Sequence, residues 1–237
     1  MKKTTTTVTT VTTTVVEESE QTGGALALFA LDMSGSMLFK RQEAIDGFNS
    51  YLEGIKGSVP YLSVNLFNNK SLRLCHVAPT ALVEPITNAI YLPQGGTALY
   101  DTIGSMIKDA DDCMEKNPGV ISEVIMTIFT DGQENTSTRY SLNSIKDLIK
   151  KKESQGNWTF VFVGSELDTY TQAASMGFAS INTKMYNTAD TGSTLRSVAN
   201  DTCAYAVRTD KLDKAFFKKG DSTVIYGGSD NTLAPNP

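Results

Sequence analysis

Three strongly apolar runs, Ala25–Leu31, Val124–Phe129 and Trp158–Val163, each stop at a polar or glycine turn: Asp32, Thr130-Asp131 and Gly164. Runs this short, with little alternation of polar and apolar residues, suit strands buried on both faces, as parallel strands are. The segments between them follow a different period. Ala44, Ile45, Phe48, Leu52 and Ile55 recur at helical spacing within Phe39–Lys56, as do Ile103, Met106, Ile107 and Ala110 within Ala98–Glu115. Asn117-Pro118-Gly119 ends the second of these, because proline cannot continue a helix. Further helices are expected over Leu142–Lys151, Leu167–Met176 and Thr194–Lys214, with a strand candidate around Ile181. Tyr61–Phe67 and Leu72–Val77 flank Asn68-Asn69-Lys70, which reads as a hairpin turn. The pattern predicts an α/β fold: a doubly wound, mostly parallel central sheet with one antiparallel edge hairpin and helices on both faces.

Residues 25–219 read as one domain between two tails. Residues 1–24 form a Thr/Val-rich N-terminal tail in which Thr4–Thr14 holds only Thr and Val. That stretch has two readings: a segment too poor in apolar area to order itself, or a strand that adds to another chain's sheet edge. Residues 220–237 are rich in Gly, Ser, Asn and Pro and read as a C-terminal tail. The net charge of −5, with Lys and Arg scattered, argues against a nucleic-acid partner. No run approaches the roughly 18 apolar residues of a membrane span, so no membrane contact is expected. Met1-Lys2-Lys3 leads into the Thr/Val tract rather than an apolar segment, which argues against a secretory signal and for a cytoplasmic protein. Cys75, Cys113 and Cys203 form no CxxC pair, so neither a zinc site nor a disulfide framework is expected.

The chemistry concentrates in three words: Asp32-Met33-Ser34-Gly35-Ser36, Gly95-Gly96-Thr97 and Thr130-Asp131-Gly132. Taken singly, each has a structural reading: a helix cap, a flexible loop before a helix, and a common turn. Their order and position say more, since two follow strongly apolar strands and the third opens a helix. In open parallel sheets, ligands bind beyond the carboxyl ends of the strands, where the winding reverses. Carboxylate and hydroxyl oxygens are hard ligands that suit Mg²⁺ or Mn²⁺, and no His or Cys lies nearby to favour zinc.

The words Leu31-Asp32-Met33-Ser34-Gly35-Ser36-Met37, Gly95-Gly96-Thr97-Ala98-Leu99 and Phe129-Thr130-Asp131-Gly132 resemble the metal-ion-dependent adhesion site (MIDAS) of von Willebrand factor A domains. The resemblance runs from about Ala25 to Ala204. Val161-Phe162-Val163-Gly164 is similar to the compact prokaryotic intracellular members of the tellurite-resistance type. The resemblance to the adhesion site implies that Ser34, Ser36 and Thr97 approach a metal through hydroxyls, and that Asp32 and Asp131 bind it directly or through water. It implies further that a protein partner supplies an Asp or Glu carboxylate to the open position, within a larger assembly or beside an ATPase. The expected function is thus a metal-dependent protein-interaction module, not an enzyme. An assembly subunit that uses its Thr/Val tail for sheet augmentation is the alternative. A Mg²⁺-dependent hydrolase is a weaker one: Ser34 stands where a haloacid-dehalogenase-like site needs its second acid, and no GxxxxGK[ST] word exists. His76, the sole histidine, reads as structural or surface, and without a second imidazole it argues against acid–base catalysis. Gln133-Glu134-Asn135 reads first as a solvated loop and second as a rim of the site. Asp109, Asp111, Asp112 and Glu115 read as a solvated helical face.

Overall fold

The computed structural model describes residues 23–165, 167–186, 191–208 and 215–217; the Thr/Val tract and the C-terminal tail lie outside them. It turns the three apolar runs into adjacent central strands. In chain order the strands are β1 (Gly24–Asp32), β2 (Tyr61–Phe67), β3 (Ser71–Pro79), β4 (Ile121–Thr130), β5 (Trp158–Gly164) and β6 (Thr183–Met185). The helices are α1 (Arg41–Ile55), α2 (Leu99–Lys116), α3 (Leu142–Ser154), α4 (Leu167–Ser175) and α5 (Thr191–Ala206). One sheet runs β3-β2-β1-β4-β5-β6, parallel throughout except for the β2–β3 edge hairpin. The expected architecture is therefore present.

The winding reverses between β1 and β4, since the chain moves outward from β1 through β2 and β3 and then returns to β1's other side. Register places Leu31 opposite Phe129, so Asp32 and Asp131 leave the same end of the sheet. That is the crevice where doubly wound folds bind ligands.

The continuity of the apolar runs has a direct cause: both faces of β1 are covered. Ala25, Ala27, Phe29 and Leu31 face a core shared with α1 and α5. Leu26, Leu28 and Ala30 face a second core built from α2 and α3 with Ala173 and Met176. Phe29 packs with its ring 5.2 Å from Phe48 and 4.6 Å from Tyr51. Truncating a ring buried this way costs about 3–5 kcal/mol. Helix α1 lies close to α5 because it presents glycine there: a Cβ on Gly54 would come within 2.7 Å of Ala199 Cβ.

Several expectations shift. The helix expected from Phe39 begins instead at Arg41, and Gly35–Lys40 forms a separate 3₁₀ helix. A tight turn is needed there because Ser34 and Ser36 must stay near Asp32 rather than move off along a longer helix. Ile181 falls in a 3₁₀ turn, and the strand starts at Thr183, where pairing with Phe162 becomes possible. The last helix runs Thr191–Ala206, earlier than expected, and 209–214 lie outside the described residues. The acidic face of α2 is not merely solvated, since Arg73 of β3 pairs with Asp109 and Lys152 of α3 with Asp111 at 2.5 Å. No helix among the described residues is long and apolar enough to cross a membrane.

Candidate metal centre

Asp32 closes β1 and is fully buried. Its Oδ1 accepts the Ser34 amide at 2.7 Å, a two-residue loop that curls the chain back over the strand end. Its Oδ2 accepts the Thr130 hydroxyl at 2.5 Å. The curl is anchored on both sides: the Met33 amide donates to Phe67 O at 2.6 Å and the Gly35 amide to Gly95 O at 3.0 Å. A Cβ on Gly35 would sit 3.3 Å from that same carbonyl, so glycine permits the approach. The buried Tyr91 hydroxyl donates to the Asp32 carbonyl and pins the end of the strand from the loop before α2.

From this turn the hydroxyls reach across the crevice. Ser34 Oγ and Ser36 Oγ lie 3.0 Å apart, and Ser36 Oγ donates to Asp131 Oδ1 at 2.6 Å. Thr97, buried just before α2, is held by a reciprocal pair with Asn135: its amide donates to Asn135 Oδ1 at 2.9 Å, and the Asn135 amide donates to Thr97 O at 3.1 Å. Gly132 shows how closely these groups converge. A Cβ there would lie 3.1 Å from Thr97 Oγ1, 3.4 Å from Asp32 Oδ2 and 3.6 Å from Ser36 Oγ. Oxygens from three separated segments thus surround one small space that glycine leaves clear. All five residues singled out in the sequence, Asp32, Ser34, Ser36, Thr97 and Asp131, belong to this one cluster.

The cluster's chemistry fits a hard divalent cation. Its donors are two carboxylates and three hydroxyls, and no group of three or more His, Cys, Asp or Glu forms a cage elsewhere among the described residues. A hydroxyl that donates its proton to a carboxylate keeps lone pairs for a cation, so Ser36 can serve both. Burial pushes the Asp32 carboxyl up to about 6; bonds from Thr130 and Ser34 oppose the rise, and the nearby Asp131 charge adds to it. A positive charge in the crevice would relieve that strain. Lys40 Nζ supplies one from outside, 2.7 Å from Asp131 Oδ2.

Of the support around the cluster, the sequence offered only the second reading of Gln133-Glu134-Asn135, as a rim of the site. Glu134 is not a solvated loop residue. Its carboxylate accepts the amides of Tyr100 (2.9 Å), Thr136 (2.9 Å) and Ser137 (2.7 Å) and the Ser137 hydroxyl (2.7 Å), tying the loop after β4 to the first turn of α2. Asp101 does the same farther along, through the amides of Thr138, Arg139 and Tyr140. Asn69, in the hairpin turn, accepts the Gly96 amide at 2.8 Å. The signal was present as a dense run of polar residues over 133–139, but such a run looks the same when solvated. His76 lies exposed on edge strand β3, as expected for a surface histidine.

No protein-family model matches the chain, and no curated protein does. Solved structures do. The chain is similar to a von Willebrand factor type A protein from Catenulispora acidiphila, at 16% identity over 76% of this chain and 43% of that one, with TM-score 0.53. It is similar to manganese-loaded TRAP protein of Plasmodium vivax, at 15% identity over 76% and 74% of the two chains, with TM-score 0.55. It is also similar to proximal thread matrix protein 1 from the mussel byssus with a zinc-occupied MIDAS motif, at 16% identity over 77% and 46%, with TM-score 0.53. The chain spans less than half the length of the first and third of these. At such identities the likeness is one of architecture, and with the sheet order and reversal point described above it establishes that this chain has the von Willebrand factor A fold.

Proposed function

We propose that this chain is a protein-interaction module in which a divalent cation, held by Asp32, Ser34, Ser36, Thr97 and Asp131, captures an Asp or Glu carboxylate of a partner protein. The observation that carries the reading is the convergence of Thr97 Oγ1, Asp32 Oδ2 and Ser36 Oγ on the space beside Gly132. Ser34, Ser36 and Thr97 contribute neutral oxygens, so only Asp32 and Asp131 bring negative charge. Hydroxyls donate less charge to a metal than carboxylates do, so a bound cation with an open position would remain a Lewis acid for an incoming carboxylate. The manganese in the TRAP structure and the zinc in the byssal protein support a divalent ion in this fold. Mg²⁺ or Mn²⁺ is our choice for this all-oxygen set.

The surface beside the cluster also suits a protein partner. On the 3₁₀ helix that carries Ser36, Phe39 is 92% exposed and Leu38 52%. Large apolar side chains left in water beside a charged site mark contact surfaces. Binding rather than catalysis is favoured because Ser34, not a second acid, follows Asp32 by two positions.

Titration calorimetry of Mg²⁺ and Mn²⁺ into wild type and Asp32→Ala tests the site. One saturable site that disappears in the variant is expected; unchanged binding by Asp32→Ala would sink the assignment. For the carboxylate step, Mn²⁺-loaded wild type should relax the protons of added acetate faster than Asp32→Ala mixed with the same Mn²⁺. Equal relaxation would leave no role for an open coordination position.

A further inference from the structure

The cation cluster contains one group that its proposed function does not use. Lys40 ends the same 3₁₀ helix that carries Ser36, and both side chains converge on Asp131: Ser36 Oγ on Oδ1 at 2.6 Å and Lys40 Nζ on Oδ2 at 2.7 Å. The Asp131 side chain is 3% exposed and that of Lys40 24%. A pair with one partner this deeply covered is screened far less than a surface ion pair. Lys40 makes no other ion pair among the described residues. We propose that Lys40 is a built-in counter-charge of the cation cluster, which sets the site's affinity for a divalent ion by lowering it.

The proposal rests on the cation reading above and follows from charge arithmetic. Asp32 and Asp131 bring two negative charges, and Lys40 offsets one of them. A dication entering this set leaves the site with an excess positive charge. Without Lys40, the same dication would be neutralised by the two carboxylates. The ammonium therefore acts in opposite directions on two steps: it repels the cation and strengthens the pull on an incoming carboxylate. An ammonium that shares a carboxylate with a dication should weaken its binding by about tenfold, even under water-like screening. The competing explanation is a purely structural tie between the 3₁₀ helix and the loop after β4. Loss of such a tie would loosen Asp131 and weaken cation binding, which is the reverse sign.

The test is Mn²⁺ calorimetry at low ionic strength on wild type, Lys40→Gln, Lys40→Arg, Lys116→Gln and Asp32→Ala, with folding checked by circular dichroism. Lys116 ends α2, whose 18 residues place it about 25 Å from the turn at Thr97, so it controls for net charge alone. Lys40→Gln should bind Mn²⁺ about tenfold more tightly. Lys40→Arg, which keeps the charge, should stay close to wild type, as should Lys116→Gln. Equal or weaker binding by Lys40→Gln overturns the proposal, as does equal tightening by Lys116→Gln; loss of binding in Asp32→Ala then shows that the cation site itself stands. If Asp32→Ala still binds, the cation reading fails first and the role of Lys40 with it. Lys40→Met, which keeps the aliphatic stem, is the second variant should the Gln form unfold, and the same criteria apply to it.

Discussion

Asp32 and Asp101 are both buried aspartates beside the same crevice, yet their partners are opposite in kind. Asp101, in the first turn of α2, accepts three successive amides, from Thr138 at 3.0 Å and from Arg139 and Tyr140 at 2.9 Å each. The Arg139 guanidinium stands 3.6 Å away. Burial alone would raise its carboxyl, but those amides and the Arg139 charge outweigh it and hold the group below the usual range. Asp32 has one amide and one hydroxyl, with the Asp131 charge nearby, and burial wins. The lesson concerns donors. A carboxylate saturated by fixed amides is committed to the scaffold, whereas one held by hydroxyls keeps an unmet demand for positive charge. The first kind positions the loop, and in the function proposed above the second would hold the cation.

Substitutions can break this contrast, and the largest effect is expected at the scaffold aspartate. Asp101→Ala leaves three amides of one loop without their acceptor, and should cost about 3–4 kcal/mol in urea unfolding. A loss below about 1 kcal/mol would mean that water replaces the carboxylate readily and that Asp101 is not structural. Asp32→Asn should move the other way. The amide side chain can still accept from Ser34 and donate to Thr130 while removing a charge disfavoured by burial. In buffer with chelator at pH 7, unfolding free energy should rise by about 1–3 kcal/mol, and cation binding should vanish. A less stable Asp32→Asn protein would place Asp32 in the same class as Asp101.

Gly132→Ala sharpens the comparison further. Its Cβ would enter the space between Thr97, Asp32 and Ser36, so cation affinity should fall by roughly tenfold while stability moves by less than about 1 kcal/mol. Unchanged affinity in calorimetry would show that the cation does not use that space. The smallest signal is the pH dependence of stability, again with chelator present. Folding raises the Asp32 carboxyl from 3.8 to about 6, so its contribution is fully present below about 4 and is lost as pH rises through about 6. Asp101 is lowered, so its contribution is present above the ordinary carboxylate range and is lost as pH falls through its own depressed value. Wild type should therefore decline between pH 4 and 7 relative to Asp32→Asn; parallel curves would contradict the burial argument.

Much of the fold was legible because its physics is local. β1, β4 and β5 showed as continuous apolar runs because both faces of each are covered, and the β2–β3 hairpin showed through its Asn-Asn-Lys turn. Boundaries were less clear. The helix expected from Phe39 starts only at Arg41, because the preceding turn follows the needs of the crevice rather than of the core. The five oxygen-bearing residues were legible as words at two strand ends and one helix start, and the structure gathers them into one cluster.

By itself, then, the sequence determined the alternation of buried strands and amphipathic helices, the order of the three polar words and the kinds of atom they could offer. Period and residue type are properties of short stretches, and they survive whatever the distant chain does. Only the tertiary structure decided which donor meets which carboxylate. Asp101 meets amides 37 to 39 residues away, and Asp131 meets an ammonium 91 residues away. Those pairings arise from loop closure across the end of the sheet, and they separate an aspartate that holds the loop from one available to hold a cation.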